Sequence, residues 1–468
     1  MSRPDQFDAP ELLLVPEEVM LRDGPATGRA VLVADGRFAE VDAADELIRR
    51  HPTLPPVHLP GKLLMPGFVD AHHHLTQSFG KALAFGEPSE IFRRIWVPLE
   101  ASLDEELVHL SAKLAALEAL RGGSTTVVDA GTRAAADVAA VARAAEEVGL
   151  RCVLGLICND LGGTGTTADA AAIRRDAERH LAAWQGSRLV RPSLAISIPE
   201  AASDGMLRYV ARLCAEAGAV FQSHVNEHLA AVERSLVARG QRPLEHLHAA
   251  GALGPQTLIA HATLVTPFEL NTLRDTGTAV AFNPVASAWK GNAVAPALQM
   301  AAAGIRFGLG TDGTRSDGFR LLDAAETSQR LAFGLGTGDS SCGGGWLWLD
   351  HATGAGAEAV GLGSLTGEIA PGKEADFLLG DVEVPEMTPS WNRTWELVRF
   401  GNRDQIAAVF TAGRLRLWHG WPVDWDGPAL LRRVAEVARD AVARAPIRRV
   451  HPRSTEHRAL VGAGRGRR

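Results

Sequence analysis

Between Gly61 and the helical run FRLLDAAETSQRLA, short β-branched or apolar runs alternate eight times with amphipathic stretches. The first pair is KLLMPGFVDA with DEELVHLSAKLAALEALRGG, and the last is IRFGLGTDG with FRLLDAAETSQRLA. Apolar runs bounded by turn signals and joined by helices of this length belong to βαβ units and a parallel sheet. Eight such units over roughly 270 residues predict a closed (β/α)8 TIM barrel. An open doubly wound sheet is the alternative, but no Gly-rich phosphate fingerprint follows the first strand. The first helix is expected to open on the capping box Ser102-x-x-Glu105 and to stop at Gly122-Gly123.

The flanks read differently. ELLLV and RAVLVADGRFAEVD carry an Asp35-Gly36 hairpin turn near the start. After DHATGAGAEAVG the chain returns to short strands in GSLTGEIAPGKEADFLLGD and QIAAVFTAGRLRLW. Both ends are therefore expected to build one small composite β-sandwich domain beside the barrel, because two separate sheets would leave more open edges. The predicted divisions are 1–60 for its N-terminal part, 61–350 for the catalytic barrel with a helical extension to about 363, 364–442 for its C-terminal part, and a basic tail at 443–468.

Charge and composition remove several function classes. A formal net charge of −7 argues against a basic nucleic-acid footprint, and 46% hydrophobic with 22% charged residues excludes a disordered or fibrous chain. No run of about 18 apolar residues is present, so no membrane span is expected. The opening MSRPDQFDAPELLLVPEEV lacks a basic n-region and a small-residue cleavage site. Cys152, Cys158, Cys214 and Cys342 have neither metal-type spacing nor disulfide density, which predicts a cytoplasmic setting. Gly162-Gly163-Thr164-Gly165 lacks the Lys-Ser/Thr ending of a phosphate loop and reads as a connection.

Chemistry concentrates at the predicted strand ends. In Asp70-Ala71-His72-His73-His74, positions i and i+2 share a face, so His72 and His74 project together while His73 points away. The fifth unit ends in Gln222-Ser223-His224-Val225-Asn226-Glu227, the sixth in Ile259-Ala260-His261 and the eighth in Gly310-Thr311-Asp312-Gly313. All lie at the C-terminal lip, where this fold carries its active sites. His72, His74, His224 and Asp312 offer three neutral nitrogens and one anionic oxygen to one divalent metal, with a position left for water. Zn2+ suits that set best and Fe2+ also fits.

The ordered motifs PGFVDAHHHLTQ, HVNEH, IAHAT, GLGTDG and GSLTGEIAPGKEADFLL resemble the amidohydrolase superfamily, over about residues 10 to 440. The resemblance is to the branch holding cytosine, guanine, S-adenosylhomocysteine and 8-oxoguanine deaminases and the triazine hydrolases. It implies that His72, His74, His224 and Asp312 bind one metal. It further implies that His261 hydrogen-bonds the attacking water and that Glu227 shuttles a proton to a ring nitrogen. LVRPSLAISIPEAAS holds no counterpart of the carboxylated lysine of binuclear relatives, which implies a single metal. The implied activity is hydrolytic deamination of an amino-substituted N-heterocycle, with Glu227, His261 and Asp312 as catalytic groups. The alternative is cleavage of a cyclic amide, or displacement of halide or alkylamine, on the same metal site. A homodimer is likewise implied.

For the substrate, Gln77 on the first barrel loop is placed to pair with a ring acceptor, and Trp96 and Trp289 to cover a flat ring. Arg315 and Asp317 are candidates for reading a charged substituent or simply solvated loop charges. Ser197-Ile198-Pro199-Glu200 replaces the His–aromatic pattern of adenosine-type deaminases. The loop from Asn283 to Trp289 lacks their Ser-Asn pair, which speaks against an adenosine-like substrate; the expected partner is a small-molecule N-heterocycle.

Overall fold

The structure is a computed structural model that describes residues 5–87, 91–161, 169–184 and 186–449. The Gly162–Gly165 loop, and the tail beyond residue 449, lie outside the described residues. Strands β1 (Leu12–Leu21), β2 (Gly24–Thr27), β3 (Arg29–Ala34), β4 (Arg37–Ala43) and β5 (Pro56–Pro66) come first. The barrel strands follow as β6 (Phe68–His73), β7 (Ser124–Asp129), β8 (Arg151–Ile157), β9 (Val190–Ile196), β10 (Val220–Val225), β11 (Thr257–His261), β12 (Ala279–Phe282) and β13 (Phe307–Leu309). The chain ends with β14 (Phe377–Asp381), β15 (Ile406–Thr411), β16 (Arg414–Trp418) and β17 (Trp421–Pro422).

Strands β6 to β13 lie side by side in chain order, each ladder parallel, as the eightfold alternation predicts. Every residue of β6, β7, β11 and β12 is buried, the pattern of a sheet covered on both faces. Closure falls between β13 and β6, where Asp312 N–H donates to His72 O at 2.8 Å. The predicted run KLLMPGFVDA is in fact two strands, β5 and β6, divided at Gly67. A Cβ on Gly67 would stand 2.1 Å from Thr125 Oγ1, so only glycine passes where the chain leaves one sheet for the other. The capping box is also displaced. The helix Glu105–Arg121 is capped by Asp104, whose side chain accepts from Leu107 N–H, while Ser102 Oγ donates to Leu99 O.

Strands from both chain ends join in one continuous nine-stranded sheet, ordered β17-β16-β15-β14-β5-β1-β3-β4 with β2 on β1. Its strand β5 works on two faces. Leu63 and Met65 pack with the barrel's helical layer, and Leu64 enters the sheet's own core beside Phe377 and Phe410. Those two rings stack at 4.4 Å. Sheet and barrel are clamped by buried Arg151 at the base of β8. Its Nε donates to Asp376 Oδ2 at 2.8 Å, and its Nη2 reaches Glu374 Oε2 at 3.2 Å. Among the described residues, no helix is long and apolar enough to cross a membrane.

Candidate metal-dependent active site

Strands β6, β10, β11 and β13 end at one rim, and their last residues carry the chemistry. His72 Nε2 and His74 Nε2 each lie 3.3 Å from Asp312 Oδ1, and His74 Nε2 lies 3.2 Å from His224 Nε2. One ligand atom from each of His72, His224, His261 and Asp312 fits within 4.8 Å of the others. That group holds His261 with three of the four sequence-predicted ligands; the fourth, His74, adjoins it through Asp312 and His224. His73 turns away as expected, and its Nε2 pairs with Ser316 Oγ at 2.9 Å.

The donors fit a cation. His224 Nδ1 donates to Ser197 O at 2.7 Å, which puts the proton on Nδ1 and leaves Nε2 a lone pair facing the cluster. The buried Nε2 of His72 has no hydrogen-bond partner. Four donors held tetrahedrally about 2.0–2.1 Å from one ion stand about 3.3 Å apart. Three separations, 3.2 Å for His74–His224 and 3.3 Å for Asp312 with His72 and with His74, are close to that edge, and the group of His72, His224, His261 and Asp312 lies within 4.8 Å. Burial, with the neighbouring imidazoles, pushes His224 well below the ordinary histidine range. It also pulls His261 down to about 4 against the charges of Glu227 and Asp312. Burial would raise Asp312, but the ammonium of Lys290 and the adjoining His72 and His74 hold it well below the carboxylate range. Neutral imidazoles beside an ionised carboxylate are the forms that ligate.

Local backbone fixes these positions. Asn226, His261, Ala262 and Asp312 have φ of 50°, 78°, 50° and 55°, all in the left-handed region that non-glycine residues occupy at a cost. Asn226, His261 and Ala262 sit where β10 and β11 stop, and Asp312 lies just beyond the end of β13. A Cβ on Gly310 would lie 2.2 Å from Asn283 Oδ1 and 3.0 Å from His72 Cβ, which explains the glycine of GLGTDG. Asn283 Nδ2 lies 3.2 Å from His261 Nδ1. With the amide donating, the imidazole proton sits on Nε2, on the side of Glu227 Oε2 at 3.8 Å.

A cavity opens onto the cluster and holds the remaining predicted residues. Its lining includes His74, His224, Glu227, Asp312, Gln77, Trp96 and Trp289. Gln77 is buried and leans on Glu100, whose carboxylate also accepts from Thr76 Oγ1 at 2.6 Å and Arg133 Nη1 at 2.8 Å. Trp96 is buried in the wall, whereas Trp289 stands at the mouth, edge-on to Phe85 with centroids 4.6 Å apart. Arg315 and Asp317 pair with each other at 3.2 Å, and Asp317 caps the helix Gly318–Gln329, a structural use of both charges.

Sequence reasoning missed Lys290. The strand-7 loop folds into the helix Pro284–Lys290, and Lys290 Nζ donates to Asp312 Oδ2 at 2.6 Å and Glu227 Oε1 at 2.8 Å. The one signal was compositional: the chain has five lysines against 43 arginines, so a lysine beside a predicted lip is conspicuous.

A barrel with imidazoles and a carboxylate converging at its C-terminal lip defines a metal-dependent hydrolase of the (β/α)8 class. The family model described as the Amidohydrolase family matches residues 63–416, and the chain belongs to that family. It is 28% identical over 450 residues to a 5-methylthioadenosine/S-adenosylhomocysteine deaminase of Nitratidesulfovibrio vulgaris, covering 94% of this chain and 98% of the relative. A 5'-deoxyadenosine deaminase of Methanothermobacter thermautotrophicus is 29% identical over 428 residues, covering 88% and 95%. Among solved structures, an adenosine deaminase from Xanthomonas campestris with bound zinc superposes with a TM-score of 0.83 at 24% identity, over 92% of this chain and 98% of that one. An atrazine chlorohydrolase from Arthrobacter aurescens complexed with zinc gives 0.79 at 19% identity, over 92% and 100%. At those identities the two structures speak for the fold.

Proposed function

We propose that this protein is a metal-dependent aminohydrolase that replaces the exocyclic amino group of an amino-substituted N-heterocycle with oxygen from water. The observation that carries the reading is one cluster of His72, His74, His224, His261 and Asp312 at the end of a cavity that His74, His224, Glu227 and Asp312 line. The deaminase names of its relatives support it.

In this reading His72, His74, His224 and Asp312 hold one divalent ion, zinc in preference to iron(II). When bound, such an ion would lower the pKa of water from 15.7 to about 7, so that a nucleophile would be available at neutral pH. His261 Nε2–H and Asp312 orient the attacking water. Glu227, ionised because Lys290 and His261 outweigh its burial, takes the proton that water loses and passes it to the ring nitrogen beside the attacked carbon. A C–O bond forms, the C–N bond breaks, and the second water proton leaves with ammonia. Trp96 and Trp289 supply flat apolar surface for the ring, and the amide of Gln77 supplies a polar contact. Four buried free cysteines support a reducing, cytoplasmic setting. The exposed apolar Leu331 and Leu335 support a contact between two copies of the chain.

The test is a panel of aminated purines, pyrimidines, pterins and triazines, assayed for ammonia with defined metal content. Stoichiometric ammonia from at least one ring is expected. Release of chloride or alkylamine without ammonia from any ring overturns the aminohydrolase reading.

A further inference from the structure

Lys290 is a cation in an unusual place. It lines the substrate cavity at the metal-ligand end, bonded to the carboxylate of Glu227 on β10's side and of Asp312 on β13's side. Lys81 lines the same cavity but pairs with Glu118, whereas Lys290 pairs with the two carboxylates of the predicted catalytic set. An ammonium has three N–H donors, and among the described residues two of Lys290's are taken. One remains for the cavity. Charge points the same way. Glu227 and Asp312 bring two negative charges to the cavity floor, and Lys290 returns one positive. That ammonium keeps its charge whether or not a metal is bound, and a charged N–H donor favours an oxygen acceptor over a bare ring edge.

We infer that Lys290 is a specificity-determining residue whose remaining N–H binds a carbonyl oxygen on the substrate ring, so that the substrate is an N-heterocycle carrying an oxo group as well as the amino group. This deepens the proposed function and rests on it for the amino group alone, since the oxygen preference is a property of binding.

Two matched ring pairs differ in that oxygen and the lactam N–H that accompanies it: cytosine against 4-aminopyrimidine, and guanine against 2-aminopurine. Calorimetric titration of the full chain stripped of metal by a chelator reads binding where no turnover occurs. A parallel assay of the metal-loaded chain for ammonia reads the reaction. In wild type the oxo member of at least one pair is expected to bind at least about tenfold tighter, about 1.4 kcal/mol. In Lys290→Met that ratio falls to about one, and Lys290→Gln is measured alongside in case the Met variant does not fold. A wild-type ratio near one in both pairs, a preference that survives both variants, or no measurable binding of any of the four rings overturns the inference. Absence of ammonia from every ring with the binding preference intact overturns the aminohydrolase reading and leaves the Lys290 assignment standing.

Discussion

Asp70 Oδ1 accepts the backbone N–H of Thr311 at 2.9 Å, across 241 positions of sequence and the closing seam of the barrel. Thr311 Oγ1 donates to the other carboxylate oxygen of Asp70, and His72 N–H donates to Oδ1 at 3.3 Å. The seam thus fixes His72 and Asp312 relative to one another through a carboxylate that touches neither ligating atom.

From this, Asp70→Ala is expected to weaken metal affinity about 10- to 100-fold, the range for partners that orient ligands without binding the ion. Competition with a chelator of known affinity checks it. An unchanged dissociation constant would show that the seam does not set the ligand geometry.

Glu227→Gln and Asp312→Asn are each expected to lose at least about 100-fold in turnover, the low end for general acid–base catalysis. Both remove a charge that Lys290 pairs with. Ammonia release under saturating substrate, with metal content measured in parallel, is the assay. Near-normal turnover in either variant removes that residue from the chemistry.

Arg151 is wholly buried between Asp376 and Glu374, and Glu374 also receives Arg188 at 2.8 Å. Arg151→Met leaves buried carboxylates without their central cation, and breaking such a pair costs about 3–5 kcal/mol. A clear fall in the thermal unfolding midpoint is expected, with kcat of the folded fraction unchanged because the clamp lies at the opposite end of the barrel from the site. A midpoint equal to that of wild type contradicts the clamp.

His351 stacks on Phe307 at 3.5 Å and its Nδ1 donates to Phe307 O at 2.7 Å. Burial lowers its pKa to about 4, against the hydrogen bond and the charge of Glu358, which favour protonation. The folded-state pKa lies below the unfolded value near 6.5, so the unfolded chain binds this proton first as pH falls. Stability from this group is complete above about pH 6.5 and is lost as pH falls from there to about 4. Urea unfolding at several pH values should give a shallower acid slope for His351→Gln than for wild type, by up to about one proton near pH 5. Equal slopes would show that His351 is not held neutral.

How far the sequence carried the structure depends on the range of the interactions involved. The barrel was legible because strands buried on both faces read as apolar runs between amphipathic helices, and His72 and His74 were legible because strand alternation is local. His224 and Asp312 followed from their place at strand ends. The boundary at Gly67 was not readable, since it depends on Thr125 lying against it from the neighbouring strand. The Ser102 box misled because Asp104, two residues on, is a better cap at the turn the chain adopts. Lys290 escaped because the strand-7 loop turns helical, and that turn carries its ammonium to Glu227, 63 positions away. Asp70 was within the quoted motif, yet its role exists only when the barrel closes.

The most direct test of the metal site is elemental analysis of the purified full chain, as divalent metal bound per chain, in wild type and in His72→Ala/His74→Ala. The account predicts about one equivalent of metal in wild type and almost none in the double variant. Fully active wild-type protein without stoichiometric metal, or a double variant that keeps its ion, would contradict it.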